Sequence, residues 1–411
     1  MKLLNLSLLS MVLLIFNGCT STSSENDIVK NNFDFASQQL QFAFKEIEQV
    51  KAGFNDRQRE SMLTSPRNIE ADGSLRLVAS RDWTSGFFPG VLWYMYEYTK
   101  EDFWIQKAIN FTMPLEREKY NGGTHDMGFK IYCSFGNGYR LTKNENYKNI
   151  MLQSAETLCT RYKENVGCLR SWDHNGDKWQ CPVIIDNMMN LELLFWAFKE
   201  SGDSTFYNIA VNHAKTTLKN HFRPDYSTFH VIDYDTITGQ VLNRHTHQGY
   251  AHESAWARGQ AWGLYGFTMS YRETQIPEFL EQAKKIANFM FTNKTIPEDL
   301  IPYWDYNAPE IPNEPRDVSA ATISACALYE LSTYDKENAV LFKKWADTIL
   351  ENLEKNYRAK LNADRGFLLL HSTGHAPAKS EIDVPIIYAD YYFVEALLKK
   401  RKLEETGSTI L

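Results

Sequence analysis

The chain has 411 residues, of which 43% are hydrophobic, and a formal net charge of −7. This length and apolar content are sufficient for one large buried core. The acidic balance and the lack of a basic patch exclude nucleic acid as the expected partner. Aromatic residues make up 14% of the chain, an abundance that suits stacking against sugar rings as well as a large helical core.

The start of the chain has the features of an export signal. A charged start, Met1 and Lys2, precedes an apolar run from Leu3 to Phe16, which is too short to span a membrane as a mature helix. The run leads to Cys19 and a Ser- and Thr-rich stretch, which resembles a bacterial lipoprotein signal; an ordinary secretory peptide is the alternative. We expect a lipid on Cys19 to be the membrane contact of a periplasmic or outer-membrane protein. The predicted segments are a signal peptide over 1–18, a tether over 19–26 and one domain over 27–405.

The cysteines other than Cys19 show no pattern of a metal site or a disulfide framework. They lie at Cys133, Cys159, Cys168, Cys181 and Cys326, without a C-x-x-C pair. Cys168 and Cys181 flank a loop that contains Trp172, and the sequence leaves open whether they pair. We expect no cofactor and no bound metal.

The rest of the chain predicts helices in succession, with one exception. The first helix is predicted over 27–63, and 66–80 is predicted to be a polar connection. Further helices are predicted over 91–99, 101–115, 147–162, 186–201, 204–221, 255–274, 277–291, 318–334, 338–357 and 387–399. The exception is 228–242, where alternating apolar residues and a Thr-Gly turn predict a short β-hairpin.

Polar or aromatic residues recur near the starts of these apolar helices, at intervals that suit one helical hairpin each. They are Trp83, Asp126, Asp186, Arg258, Asp317 and Asp390. Six hairpins that close into a ring, with parallel inner helices, would bring all of these residues to one end. The predicted fold is therefore all-α, an (α/α)6 barrel with a pocket at one mouth.

Asp186 is the candidate catalytic residue with the most distinctive surroundings. It opens an apolar helix predicted within Cys181 to Phe198, where Pro182 and Asp186 are the start signals. A loop that holds Trp172 and Trp179 precedes this helix. One interpretation is a helix N-cap, since Asp is favoured there. The other is a general acid whose pKa is raised by an apolar, indole-lined pocket. The stretch alone does not choose between them.

Each of the other candidate residues gives only a weak functional signal when it is considered alone. Asp126 lies in a Gly-containing loop, where an Asp is most often a turn residue. Arg258 lies at a helix start, against the helix dipole, which suggests a carboxylate ligand. A cluster of His245, His247 and His252 has no fixed helical spacing, so metal binding is the less favoured interpretation.

Seven motifs, in order, resemble glycoside hydrolase family 88, the unsaturated glucuronyl hydrolases, from about residue 75 to 400. They are Trp83 to Gly90, His125 to Phe129, Ile185 to Asn190, Thr246 to Tyr250, Trp256 to Trp262, Arg316 to Ala321 and Ala389 to Tyr392. The resemblance implies hydration of the C4=C5 double bond in unsaturated uronic acids, which polysaccharide lyases leave at non-reducing ends. A general acid protonates C4, water adds at C5, and the product collapses to release the next sugar.

The resemblance also implies roles for individual residues. Asp186 is the expected general acid and then base. Asp126, the second expected catalytic residue, lies beside it, binds the substrate ring and helps to hold Asp186 in the needed protonation state. The expected substrate contacts are Trp83 and Trp172 by stacking, His230 and Gln248 by orienting substrate and water, Arg258 at the uronate, and Trp262. Lys379 and Ser380 lie in a segment that we associate with sulfate contacts in chondroitin-type relatives.

The substrate remains open at this point. Heparin- or chondroitin-type fragments are the leading candidates, with ulvan fragments also considered. The alternatives are an unsaturated rhamnogalacturonyl hydrolase on the same barrel and a surface lipoprotein that binds glycans without cleaving them. The expected partner is an oligosaccharide, and the expected state is a monomer or homodimer.

Overall fold

Long helices alternate between an inner and an outer ring. The structure, a computed structural model, describes residues 27–60 and 62–411. In chain order the ring helices are α1 (Ile28–Ala52), α2 (Phe87–Thr99), α3 (Asp102–Thr112), α4 (Asn137–Thr142), α5 (Glu145–Cys159), α6 (Leu191–Ser201), α7 (Ser204–Asn220), α8 (Ala257–Thr274), α9 (Pro277–Thr292), α10 (Val318–Tyr334), α11 (Ala339–Asn352) and α12 (Ile387–Thr406). The even-numbered helices form the inner ring.

The inner ring is closed because α12 contacts both α10 and α2. Helices α8 and α10 are buried on all sides over most of their length, as expected for helices surrounded by others. Outer helices bury one stripe instead: in α9 this stripe includes Phe279, Ala283 and Ile286, spaced one turn apart. The prediction of an all-α barrel built from helical hairpins is confirmed.

Several helical segments depart from α geometry. A π-helix, Gly128–Gly136, precedes α4, and a 3-10 helix, Ile185–Asn190, precedes α6. The others are the 3-10 helices Met113–Tyr120, Asp364–Gly366 and Ala376–Ala378 and the π-helix Leu353–Tyr357. The sequence did not predict the helical stretch from 128 to 142, because i→i+5 bonding moves its apolar spacing away from 3.6 residues.

The segments between the helices contain short antiparallel strands. They are β1 (Ser65–Ile69) with β2 (Leu75–Val78), β3 (Tyr162–Lys163) with β4 (Cys168–Leu169), and a sheet in the order β5 (Pro182–Ile184), β6 (Val231–Tyr234) and β7 (Val241–His245). The hairpin predicted over 228–242 is confirmed as β6 and β7. The other local predictions here were wrong: 66–80 contains a hairpin, the first helix ends at Ala52 before a short helix Asp56–Glu60, and Pro182 begins a strand paired with β6 rather than a helix.

A close backbone contact joins two of the loops that carry candidate residues. A Cβ on Gly86 would lie 2.2 Å from the carbonyl oxygen of Phe129, so only glycine permits this approach. The turn that holds Trp83 is thereby held against the segment that holds Asp126.

The described helices include none that combines the length and apolar character required to cross a bilayer. The signal-peptide, tether and Cys19 predictions fall outside the described residues. All five cysteines within them are free thiols, and Cys168 and Cys181 are both fully buried. The described part of the chain has no cluster of three or more His, Cys, Asp or Glu side chains that is arranged to hold a metal.

Candidate active site

A cavity of about 230 Å³ lies where the inner helices begin. Loops and first turns from several barrel units contribute to its lining, as expected if parallel inner helices bring their starts to one end. The predicted site residues in the lining are Trp83, Asp126, Trp172, Asp186, Gln248 and Arg258.

Asp186 is a buried acid with an unsatisfied oxygen. It lies in the first turn of the 3-10 helix that joins β5 to α6, and that helix has no side-chain cap. The residue is 8% exposed, and its Oδ2 has no hydrogen-bond partner among the described residues. Burial raises the pKa of this carboxyl to about 7, against the opposing charge of Arg258, and the Asp126 carboxylate adds to the rise. A carboxyl with this pKa exchanges a proton near neutral pH, as general acid–base catalysis requires.

Asp126 is the more exposed acid of the pair. Its Oδ2 accepts a hydrogen bond of 2.7 Å from the hydroxyl of Thr124, and its Oδ1 lies 3.2 Å from Nε2 of His125. It precedes the π-helix, and its carbonyl accepts the first bond of that segment from the N–H of Lys130, at 3.0 Å. The side chain is therefore held at the cavity while it remains accessible to a ligand.

The pairing of β5 with β6 brings His230 to Asp186. The N–H of Ile185 donates to the carbonyl of His230 at 3.1 Å, and Nε2 of His230 lies 3.6 Å from Oδ2 of Asp186. Nδ1 accepts from the backbone N–H groups of His247 and Gln248, both at 3.1 Å. Burial, with His247 next in effect, holds the pKa of His230 well below its usual value. The ring is therefore neutral and carries its proton on Nε2, the nitrogen that lies 3.6 Å from Asp186.

Arg258 is buried and fixed by the protein. It donates to Asp317 at 3.0 Å and to the carbonyls of Thr373 and Gly374 at 2.7 and 2.6 Å. Its Nε has no acceptor within the described structure. Gln248 donates to the same Gly374 carbonyl at 3.0 Å. One loop carbonyl therefore orients both an arginine and an amide at the cavity.

Aromatic rings form two walls of the cavity. Trp83 lies 5.0 Å from the ring of Tyr388 and 5.4 Å from that of Phe129. On the other side, Trp172 stacks on His174 at 5.3 Å with an interplanar angle of 20°, and its indole nitrogen has no described partner. Both indoles are partly exposed, so their faces are accessible to a sugar ring.

A second cavity, of about 290 Å³, lies toward the other end of the inner helices. Its charged groups pair with one another: Arg272 contacts Glu192 and Glu330, and Lys399 lies 3.0 Å from both Glu330 and Glu395. None of the predicted site residues lines it. The chemistry-bearing cavity is therefore the one around Asp186.

Comparison with known proteins assigns the chain to a family. The family model described as Glycosyl Hydrolase Family 88 matches residues 55–308. The chain belongs to glycoside hydrolase family 88. It is similar to the unsaturated glucuronyl hydrolase of Formosa agariphila, with 48% identity over 387 residues and 94% of each chain covered. It is also similar to that of Bacillus sp. strain GL1, with 32% identity over 80% of this chain and 89% of the other.

Solved structures agree with this assignment. The crystal structure of an unsaturated glucuronyl hydrolase specific for heparin matches with a TM-score of 0.86 and 45% identity, covering 93% of this chain and 98% of the other. The recognised resemblance to family 88 is therefore confirmed, and the protein is a glycoside hydrolase of the unsaturated glucuronyl type.

Four predicted substrate contacts of this family 88 chain lie outside the cavity lining: His230, which lies next to Asp186, and Trp262, Lys379 and Ser380. Trp262 is fully buried, and its ring centroid lies 5.1 Å from that of Phe129. Its indole side chain lowers the pKa of Asp186 and so opposes part of the rise that burial causes. Lys379 is exposed and follows the 3-10 turn Ala376–Ala378 in a left-handed conformation, with a φ of 53°. Ser380 is partly exposed and pairs through its backbone with His375.

Other residues of the lining were not predicted. Arg67 and Glu381 form an ion pair at 2.6 Å, Tyr388 faces Arg258, and His375 contacts the carbonyl of His247 at 2.9 Å. The family motif around Ala389 and the Gly374 to Glu381 segment pointed to this region of the chain, but Arg67 lies on a strand that carried no such signal.

Proposed function

We propose that the protein releases 4,5-unsaturated uronic acid from the non-reducing end of lyase-generated oligosaccharides by hydrating the C4=C5 double bond. The observation that carries the proposal is the buried Asp186, whose unsatisfied oxygen faces a cavity in a family 88 chain and whose pKa is raised to about 7. A vinyl ether needs protonation at carbon rather than displacement, so one acid–base residue is sufficient.

In the proposed reaction, protonated Asp186 gives its proton to C4 of the unsaturated ring. The resulting cation at C5 is stabilised by the ring oxygen, and water adds there while Asp186, now a carboxylate, accepts the proton of that water. C5 then bears a hydroxyl and the ring oxygen, which is a hemiketal. It opens to a keto acid, and the hemiacetal left at C1 expels the next sugar.

His230 and Asp126 support the two states of Asp186 in this scheme. Nε2 of His230, which carries the proton, lies 3.6 Å from Oδ2 of Asp186, so its N–H favours the carboxylate formed after proton transfer without adding a charge. Asp126 adds a negative charge nearby, which favours the protonated form before transfer. Asp126 is also the accessible carboxylate that can bind hydroxyl groups of the ring.

The uronate carboxylate binds next to Arg258 in this proposal. The guanidinium is rigid, buried, and retains an Nε–H without an acceptor in the described structure. Gln248 lies beside it through their common bond to Gly374, and Trp83 and Trp172 cover the ring faces. This arrangement fixes C4 at Asp186.

We propose glycosaminoglycan-derived disaccharides, and heparin-type ones first, as the substrates. The 45% identity to an enzyme described as heparin-specific supports this choice. The test is a set of unsulfated unsaturated disaccharides of heparin, chondroitin and pectin origin, followed by the loss of ultraviolet absorbance of the conjugated double bond. Faster loss with the heparin-type disaccharide is expected. Stable absorbance with every member would refute the proposed activity, and preference for the pectin-type member would favour the rhamnogalacturonyl alternative.

We further propose that the protein is an exported lipoprotein, anchored through Cys19. The support is the sequence alone: an apolar run followed by Cys19 and a polar stretch. Fatty-acid labelling of the expressed full chain, compared with Cys19→Ser, tests the proposal. Equal labelling of the two chains would refute it.

A further inference from the structure

Every guanidinium of the catalytic cavity is already paired with protein carboxylates. Among the described residues that line it, Arg67 and Arg258 are the only Arg or Lys side chains. Arg258 faces Asp317 at 3.0 Å. Arg67 contacts Asp82 at 2.8 Å through Nη1 and both carboxylate oxygens of Glu381, at 2.6 Å through Nε and 3.0 Å through Nη2. One positive charge thus meets two negative charges beside Trp83.

The carboxylate of Glu381 is fixed in this position. Glu381 lies on a hairpin held by backbone pairing of Ser372 with Val384, and its carbonyl accepts from the N–H of Gly374 at 2.6 Å. A Cβ on Gly374 would lie 2.4 Å from Oε2 of Glu381, so glycine is required to accommodate the carboxylate. The Glu381 side chain is only 4% exposed. Reorienting it away from Arg67 would require the hairpin to move.

This arrangement limits the number of anionic groups that the cavity accepts. The uronate carboxylate has Arg258, with its available Nε–H. A second anion, such as a sulfate on the leaving sugar, has only the guanidinium of Arg67, which two carboxylates already neutralise. Lys379 of the same hairpin adds no positive charge to the lining, because it is exposed and does not line the cavity. We propose, on the basis of the proposed function, that Glu381 is a specificity residue that disfavours substrates with a sulfated leaving sugar.

The test compares kcat/KM for an unsulfated unsaturated disaccharide and for the same disaccharide with one sulfate on the leaving hexosamine. The wild type is expected to prefer the unsulfated form. Glu381→Gln should raise the sulfated-to-unsulfated ratio roughly tenfold, the effect of removing one unit charge at ~6 Å in a partly aqueous site. Asp82→Asn is the matched control, since it removes one charge from the same Arg67 at a residue outside the lining, and its ratio should change less. Glu381→Asp keeps the charge and should keep the preference.

An unchanged ratio in Glu381→Gln would overturn the proposal, and so would an equal rise in Asp82→Asn or in Glu381→Asp, which would assign the effect to total charge or to packing. The ratio is also measured as binding affinity in an Asp186→Asn background, by fluorescence of the cavity tryptophans. Absence of turnover by the wild-type enzyme would then contradict the proposed function alone, while the ratio of affinities in the Asp186→Asn background still decides the role of Glu381.

Discussion

Replacing Asp186 by Asn is expected to abolish turnover and to stabilise the folded protein at alkaline pH. Asn has nearly the same shape but cannot deliver a proton to C4, so the absorbance of the unsaturated disaccharide should persist. The stability effect arises because the wild-type carboxylate is charged in a buried position where its Oδ2 has no partner among the described residues. Removing that charge removes a cost of folding.

The magnitude follows from the pKa, which burial raises from 3.8 to about 7. Below pH ~4 the carboxyl is protonated in both the folded and the unfolded chain, so its charge costs nothing. As the pH rises, the unfolded chain loses the proton first, and the folded state becomes relatively less stable until the pH passes about 7. This rise in the pKa corresponds to about 4 kcal/mol at most. The stability advantage of Asp186→Asn should therefore grow between pH ~4 and ~7 and then level off.

Urea unfolding of both proteins at a series of pH values measures this difference, and other titrating groups largely cancel. The wild-type kcat/KM should fall as the pH rises through about 7, where Asp186 loses its proton. Asp390, whose pKa burial raises to about 8, lies in α12 away from the cavity lining and is the control. Asp390→Asn should leave the alkaline limb of the activity profile in place. A stability difference between wild type and Asp186→Asn that is constant from pH 5 to 8.5 would refute the reasoning.

Three further substitutions test the supporting residues. His230→Ala should lower kcat by ~10²-fold or more with a smaller change in KM, because it removes the N–H group next to the acid–base residue; a change in KM alone would contradict this role. Arg258→Lys should raise KM for the disaccharide about tenfold, because an ammonium cannot reproduce the fork that contacts Asp317 and two carbonyls, and an unchanged KM would oppose its assignment to the uronate. Trp172→Ala should weaken substrate binding with little loss of thermal stability, since its ring is partly exposed; a large drop in Tm would mark it as a packing residue.

The barrel itself was accessible from the sequence because most inner helices are long and apolar and begin near a polar or aromatic residue; the exception is α4, which has six residues. The bounds of α10 were predicted as 318–334, as found. The positions of Asp126 and Asp186 at one end followed from the same hairpin spacing. The sequence around Asp186 could not decide between a helix cap and a catalytic acid, because the decision depends on the pairing of β5 with β6. Pro182, which begins β5, indicated a helix start instead.

The wall formed by Arg67 and Glu381 was not predictable for a related reason. These residues are separated by more than 300 positions and meet only when β1 and the hairpin around Gly374 pack on the same mouth. Lys379, an apparent candidate for binding an anion, is exposed and has a left-handed conformation that the sequence does not signal. The local sequence pattern therefore identified the Gly374 to Glu381 segment, but it did not identify Glu381 as the side chain that lines the cavity.

The π-helix Gly128–Gly136 has a consequence for how the site tolerates change. Its turns hold more residues than those of an α-helix and lie between Asp126 and the start of α4. Asn137, the first residue of α4, donates a hydrogen bond of 3.2 Å to the hydroxyl of Tyr391 in the core. Deleting one residue would change both the length of this segment and the rotation between its two ends. Either Asp126 would turn away from Asp186, or α4 would lose its packing on α12. Insertions and deletions in this segment should therefore be selected against more strongly than point substitutions.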